Sequence, residues 1–199
     1  MTIFLAADHN GFELKEKIVG QLLADEDDLQ REVIDLGADH FEGSDDYPLY
    51  AEELGREVAK KKGSRGILFC RSGNGMVMTA NKIVGVRAGL GFSVEAAREM
   101  VEHNQANVIA IPAGMLGVEA EVKAFEIAMS FLKAEAKMEE SYERRVEEIK
   151  NIERGKKAIG AEERFEEVKT ELAAGGKIVG EVAQAAAGVV EAVMEENPE

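Results

Sequence analysis

The sequence predicts an α/β protein: a five-stranded parallel sheet covered by helices on both faces. Three observations predict it. Five short apolar runs, residues 3–7, 32–36, 67–69, 85–90 and 108–111, alternate with stretches of helical spacing. That alternation is the pattern of strands joined by crossover helices, which shield both faces of a parallel sheet. The first, third and fifth runs are continuously apolar, as strands buried on both sides are, whereas 32–36 and 85–90 include Glu32, Asp35 and Arg87. Polar and turn-forming residues follow the first and third runs, and ligands of such sheets bind beyond the carboxyl ends of strands.

In order, residues 3–7 form the first strand. Asp8-His9-Asn10-Gly11 follow, then a helix with Phe12, Leu14, Ile18, Leu22 and Leu23 on its inner side. Acidic residues 25–28 make a solvated loop, and 32–36 a second strand closed by Gly37. A polar loop over 38–46 leads to Tyr47-Pro48 and a helix to about Lys62, with Pro48 tolerated in its first turn. After the third strand, Met76, Ala80 and Ile83 stand at helical spacing. Residues 85–90 are the fourth strand. Ser93 is an N-cap for a helix to about His103, with Glu95 in its first turn suiting the dipole. Residues 108–111 are the fifth strand, ended by Pro112, and 118–133 an amphipathic helix.

Composition excludes several function classes. The 199 residues are 45% hydrophobic and 32% charged, as in soluble globular proteins. A net charge of −15 argues against a nucleic-acid partner. A single cysteine forms no internal disulfide and fits a reducing cytoplasm. No apolar run approaches the ~20 residues that span a bilayer, and the first residues lack the basic start of a signal peptide. A cytoplasmic protein is expected, with no membrane partner.

The stretch from Arg65 to Lys82 holds the most chemistry. Its apolar strand ends at Cys70, the only cysteine, and Ser72, Gly73, Asn74 and Gly75 then make a turn into a helix. Unpartnered backbone N–H groups at such a junction favour negative charge. A thiol there is expected to have a depressed pKa and to serve as base or nucleophile. The plainer alternative is a small buried cysteine at a strand end.

Asp8-His9-x-Gly11, Asp46-Tyr47-Pro48, Gly66-Ile67-Leu68-x-Cys70-x-Ser72-Gly73-x-Gly75-Met76, Ala80-Asn81-Lys82 and His103-Asn104-x-x-Asn107-Val108 occur in one order. Together, over residues 1–153, they resemble the ribose-5-phosphate isomerase type B family, which includes the galactose-6-phosphate isomerase subunits. The resemblance implies a Rossmann-like three-layer sandwich and a homodimer or homotetramer. It implies aldose–ketose isomerisation of a sugar phosphate, with no metal or cofactor. Cys70 matches the family's catalytic base. Ser72 stands where threonine is usual and keeps the hydroxyl. The amides of Gly73, Asn74 and Gly75 match an oxyanion site. His103 matches the ring-opening residue, with an imidazole suited to reversible proton transfer. Asp8, His9, Tyr47 and Asn104 match sugar-contacting positions, and Arg145 a phosphate-binding one.

The departures are specific. Arg71 replaces the glycine usual after the cysteine. Gly114 and Ser141 stand where two phosphate-binding arginines are expected. Either Arg71, Arg144 and Arg145 rebuild the phosphate site, or the substrate is another phosphorylated or acidic sugar. Arg71 is expected to lower the Cys70 pKa, since an opposite charge within ~4–6 Å favours the thiolate. A non-catalytic sugar- or phosphate-sensing module is the alternative class, but one that needs neither the thiol nor the imidazole.

Beyond Gly155 the chain runs 44 residues further. Residues 161–174 carry Phe165, Val168 and Leu172 in an apolar stripe, Gly175-Gly176 break it, and 178–194 are Ala/Val-rich. A helical hairpin extension over 154–199 is expected. From Lys156 onward this tail holds 5 of the 24 Lys and Arg and 10 of the 39 Asp and Glu. It therefore carries −5 against −10 for the rest, and neither part invites nucleic acid.

Overall fold

The computed structural model describes residues 1–25, 31–156, 166, 169 and 170. In chain order the elements are β1 (Thr2–Ala7), α1 (Phe12–Ala24), β2 (Glu32–Asp35), α2 (Tyr47–Lys60), β3 (Arg65–Cys70), α3 (Asn74–Ala80), β4 (Ala88–Leu90), α4 (Val94–Asn104), β5 (Val108–Pro112), a 3-10 turn (Ala113–Met115), α5 (Ala120–Lys133) and α6 (Glu140–Glu153). All strand pairings are parallel and the sheet order is β2-β1-β3-β5-β4.

Alternate residues of each strand face opposite layers, as the two-residue period requires. Ile3, Leu5, Ala7, Ile67, Phe69, Ile109 and Ile111 pack with Ile18 and Leu22 of α1, Ala97 and Val101 of α4, and Ala124, Ala128 and Phe131 of α5. On the other face Phe4, Ala6, Leu68, Cys70, Val108 and Ala110 meet Ala51, Leu54 and Val58 of α2 and Met76 and Ala80 of α3. Fully burying each large side chain here stabilises by about 1.5–3 kcal/mol. Register places Cys70 beside Pro112, so the ends of β3 and β5 lie together.

The five expected strands and their helices are present, with shifted ends. The fourth strand is only Ala88–Leu90, and the helix after the turn begins at Asn74 rather than Met76. Ser93 caps α4 as expected, its Oγ accepting from Ala96 N at 3.1 Å. Two side chains of α1 differ from the reading. Leu23 is 67% exposed, and Lys15 is fully buried in its stead. Lys15 lies inside because its Nζ meets Asp35 Oδ2 at 2.6 Å, Glu16 Oε1 at 2.8 Å and the Ala38 carbonyl at 2.7 Å. α6 has no counterpart among the elements expected from the sequence; Val146 is its buried residue.

The chain divides after Glu153 into two units, Met1–Glu153 and Arg154–Glu199. Of the expected extension over 154–199, only residues 154–156, 166, 169 and 170 fall among those described, and of the acidic 25–28 loop only Asp25. Among the described residues no helix is long and apolar enough to cross a membrane.

Candidate active site

The strand order reverses between β1 and β3: from β1 the chain moves outward to β2, then returns to the other side. Such a switch point opens a crevice beyond the strand ends. Asp8 leaves β1 there and Cys70 ends β3 there. The two segments are tied by Asp8 N donating to the Phe69 carbonyl at 3.3 Å.

Cys70 is buried, and Gly73 N donates to its Sγ at 3.0 Å. That geometry needs Gly73 at φ 77°, in the left-handed region, with no room for a side chain. A Cβ there would lie 2.2 Å from Leu90 Cδ1. The Tyr47 ring, at the start of α2, lies over Gly75 so closely that a Cβ on Gly75 would fall 2.6 Å from it. Ser72 is half-buried and Asn74 exposed at the same turn.

The expected depression of the thiol pKa is not found. Burial pushes the Cys70 thiol up; the Gly73 amide pulls back, the charge of Asp8 pushes up again, and the amides of Ser72 and Met76 oppose it. Removing a thiolate from water costs more than three neutral amide donors return. The leading influences on the thiol do not include Arg71. Arg71 is exposed and makes no ion pair among the described residues. Its carbonyl accepts from Gly114 N at 3.0 Å. Its Cγ occupies the space beside Gly114, where a Cβ would come within 2.8 Å.

Asp8 is buried, its Oδ1 accepting from the amides of Asn10 at 3.0 Å and Gly11 at 3.1 Å. Burial pushes its pKa up, against those two bonds and the neighbouring His9. His9 is tied to Asp45, a residue the sequence reading passed over as part of a polar loop. Asp45 Oδ1 lies 2.6 Å from His9 Nδ1 and accepts from His9 N at 2.9 Å. The bond to Asp45 raises the His9 pKa. For Asp45 burial acts upward, but its bonds from the His9 amide, the His9 ring and Tyr50 hold it below the ordinary range.

His103, Asn104 and Arg145 are not with this group. α4 starts after the carboxyl end of β4 and finishes before the amino end of β5. Its last turn therefore lies at the opposite edge of the sheet, roughly 15 Å along the helix axis. There the His103 ring stacks on Tyr142 of α6, with centroids 4.5 Å apart at 19°. The Arg145 guanidinium lies 5.9 Å from the centre of the same Tyr142 ring. Asn104 is exposed, and its carbonyl accepts from Arg87 Nε at 3.2 Å. Tyr142 stands one residue past Ser141 in a stretch read only for its missing arginine. Among the described residues no three His, Cys, Asp or Glu side chains converge to hold a metal ion.

The profile of the ribose/galactose isomerase family matches residues 3–149. The chain belongs to that family. Within it, the chain is 35% identical over 154 residues to ribose-5-phosphate isomerase B of Mycobacterium leprae, covering 77% of this chain and 91% of that one. It is 37% identical over 117 residues to a putative sugar phosphate isomerase of Bacillus subtilis, covering 59% and 76%. Among solved structures, ribose-5-phosphate isomerase B of Mycoplasma genitalium with bound ribulose 5-phosphate superposes with a TM-score of 0.70. Identity there is 34%, covering 77% of this chain and 96% of that one. The Thermotoga maritima ribose 5-phosphate isomerase gives 0.67 at 35% identity, covering 75% and 97%. The family match ends at residue 149.

Proposed function

We propose that this chain interconverts an aldose phosphate and its ketose, of the ribose 5-phosphate/ribulose 5-phosphate type, through an enediolate. The observation that carries the reading is the buried Cys70 thiol at the switch point, held by the Gly73 amide and flanked by Asp8. In this reading the Cys70 thiolate takes the proton from the carbon beside the carbonyl. The Ser72 hydroxyl and the turn amides of Gly73, Asn74 and Gly75 hold the developing oxyanion. Asp8, His9 and Tyr47 contact the sugar. His103 opens the ring, with Asn104 and Arg145 beside it. Because these three lie at the far edge of the sheet, they serve a site through a second copy of the chain, in a homodimer or a dimer of dimers. Residues 1–153 carry this activity, and 154–199 are an appended extension.

Arg71 supplies the phosphate cation in place of the arginines absent at Gly114 and Ser141. It is exposed beside the base, and its stem fills the space a side chain at 114 would need. The same departure favours a second reading, an isomerase for another phosphorylated or acidic sugar. Incubating the purified protein with a panel of pentose and hexose phosphates separates them. Ribose 5-phosphate is expected to be converted fastest. A different preferred sugar selects the second reading, and no conversion of any member leaves only a sugar-sensing module.

A further inference from the structure

The loop between β2 and α2 closes over His9. Asp45, 36 residues away in sequence, receives both the His9 amide and its ring Nδ1 on one oxygen. The Asp45 side chain is 5% exposed, while that of His9 keeps 28% open to solvent. Phe41 of the same loop meets the His9 ring edge-on at 6.4 Å and the Phe12 ring at 6.5 Å, pinning the loop to the start of α1. With Nδ1 occupied, Nε2 is the ring nitrogen left for a ligand, and among the described residues it meets the exposed Asn10 side-chain amide, at 2.7 Å. Asp45 Oδ2 is buried without a hydrogen bond of normal geometry.

We propose that Asp45 is a positioning residue: it fixes the His9 imidazole at the crevice, with Nε2 turned to the negatively charged oxygens of a sugar phosphate. The proposal rests on the isomerase reading above. A carboxylate on one ring nitrogen orients the imidazole and favours its charged form, so the other nitrogen becomes an N–H donor to an anion. A protonated Nε2 cannot accept from Asn10 Nδ2, so the exposed Asn10 amide turns its oxygen toward Nε2 and is displaced when ligand arrives. The charged groups facing His9 are Asp45 across the loop and Asp8 beside it. Tyr50 faces Asp45 from α2, its pKa pushed up to about 12, first by burial and then by that carboxylate. Both acids next to His9 act in one direction, keeping it protonated to higher pH than a free imidazole.

The test uses the full chain with Asp45→Asn, which keeps an acceptor for Nδ1 but not the charge, and Asp45→Glu, which restores the charge. The chain has 3 histidines, so the His9 ring signals are assigned in NMR by comparison with His9→Gln. In the wild type His9 is expected to titrate above an ordinary imidazole. Asp45→Asn should bring its midpoint back down, raise KM for ribose 5-phosphate about tenfold with a smaller change in kcat, and shift the pH profile of kcat/KM to lower pH. Asp45→Glu should recover part of both. A His9 midpoint unmoved by Asp45→Asn overturns the proposal. So does a midpoint that moves while kcat and KM stay at wild-type values from pH 6 to 9. If the wild type turns over no sugar phosphate, the isomerase reading falls. His9 shifts on adding ribose 5-phosphate then uphold the positioning role as one in binding, and their absence overturns it. Should Asp45→Asn fail to fold, the wild-type titration and Asp45→Glu give the same decision.

Discussion

At the scale of single residues, the chemistry turns on how buried groups are hydrated. The Cys70 thiol sits among Leu68, Met76 and Ala110 on the α2/α3 face, and burial governs its pKa. With the Cys70 thiolate as the proposed base, kcat/KM should climb as pH rises through neutrality toward the raised pKa, rather than level off below 7. Alkylation by iodoacetamide should follow the same limb, with its midpoint above that of a free cysteine. Cys70→Ser should lower kcat by about a thousandfold or more while leaving the fold intact. Near-normal turnover in that variant sinks the base assignment. Arg71→Gly should leave the alkylation profile where it is, since Arg71 is not among the main influences on the thiol, but weaken binding of anionic sugars. A shifted profile in that variant would show that the guanidinium does reach the sulfur.

At the scale of elements, α1 and the turn after β2 are joined by one cation. Lys15 reaches from the buried side of α1 to Asp35 at the end of β2 and to the Ala38 carbonyl beyond it. Removing it would leave the buried Ala38 carbonyl without its donor and the part-exposed Asp35 carboxylate without its cation. Lys15→Met, which keeps the apolar stem, is expected to cost about 2–4 kcal/mol. The denaturant midpoint should fall with an unchanged slope. A midpoint equal to wild type would mean that water takes over both partners. The helical spacing of Phe12, Ile18 and Leu22 reveals α1 well enough. It does not reveal that Lys15 replaces Leu23 inside, because the partner lies on another element, 20 residues further on.

At the scale of the whole molecule, the candidate groups fall at two edges of one sheet. Asp8, His9, Tyr47, Cys70 and Ser72 lie at the carboxyl edge. His103, Asn104 and Arg145 lie at the other, around Tyr142. If a second copy supplies the latter, Cys70→Ser and His103→Asn chains, each inactive alone, should regain roughly a quarter of wild-type activity when refolded together, because half the random dimers carry one intact site of two. A mixture as inactive as its parents rules out shared sites. Sedimentation at micromolar concentration should show the same chain without substantial monomer.

What the sequence alone determined was set by local rules. Continuous apolar runs marked the three central strands β1, β3 and β5, a serine capped α4, and a glycine-rich turn placed the lone cysteine at a strand end. The ordered motifs gave the family. What only the tertiary structure decided depends on groups brought together from distant parts of the chain. The direction of the Cys70 pKa follows from total burial, which a turn motif does not report. The hold of Asp45 on His9 spans 36 residues. The separation of His103 from Cys70 follows from the direction in which α4 crosses the sheet. The fit of Arg71 against Gly114 follows from β3 and β5 being neighbours despite lying apart in sequence. Periodicity and turn chemistry act over a few residues and can be read along a chain, whereas desolvation and ion pairing act through space and need the fold.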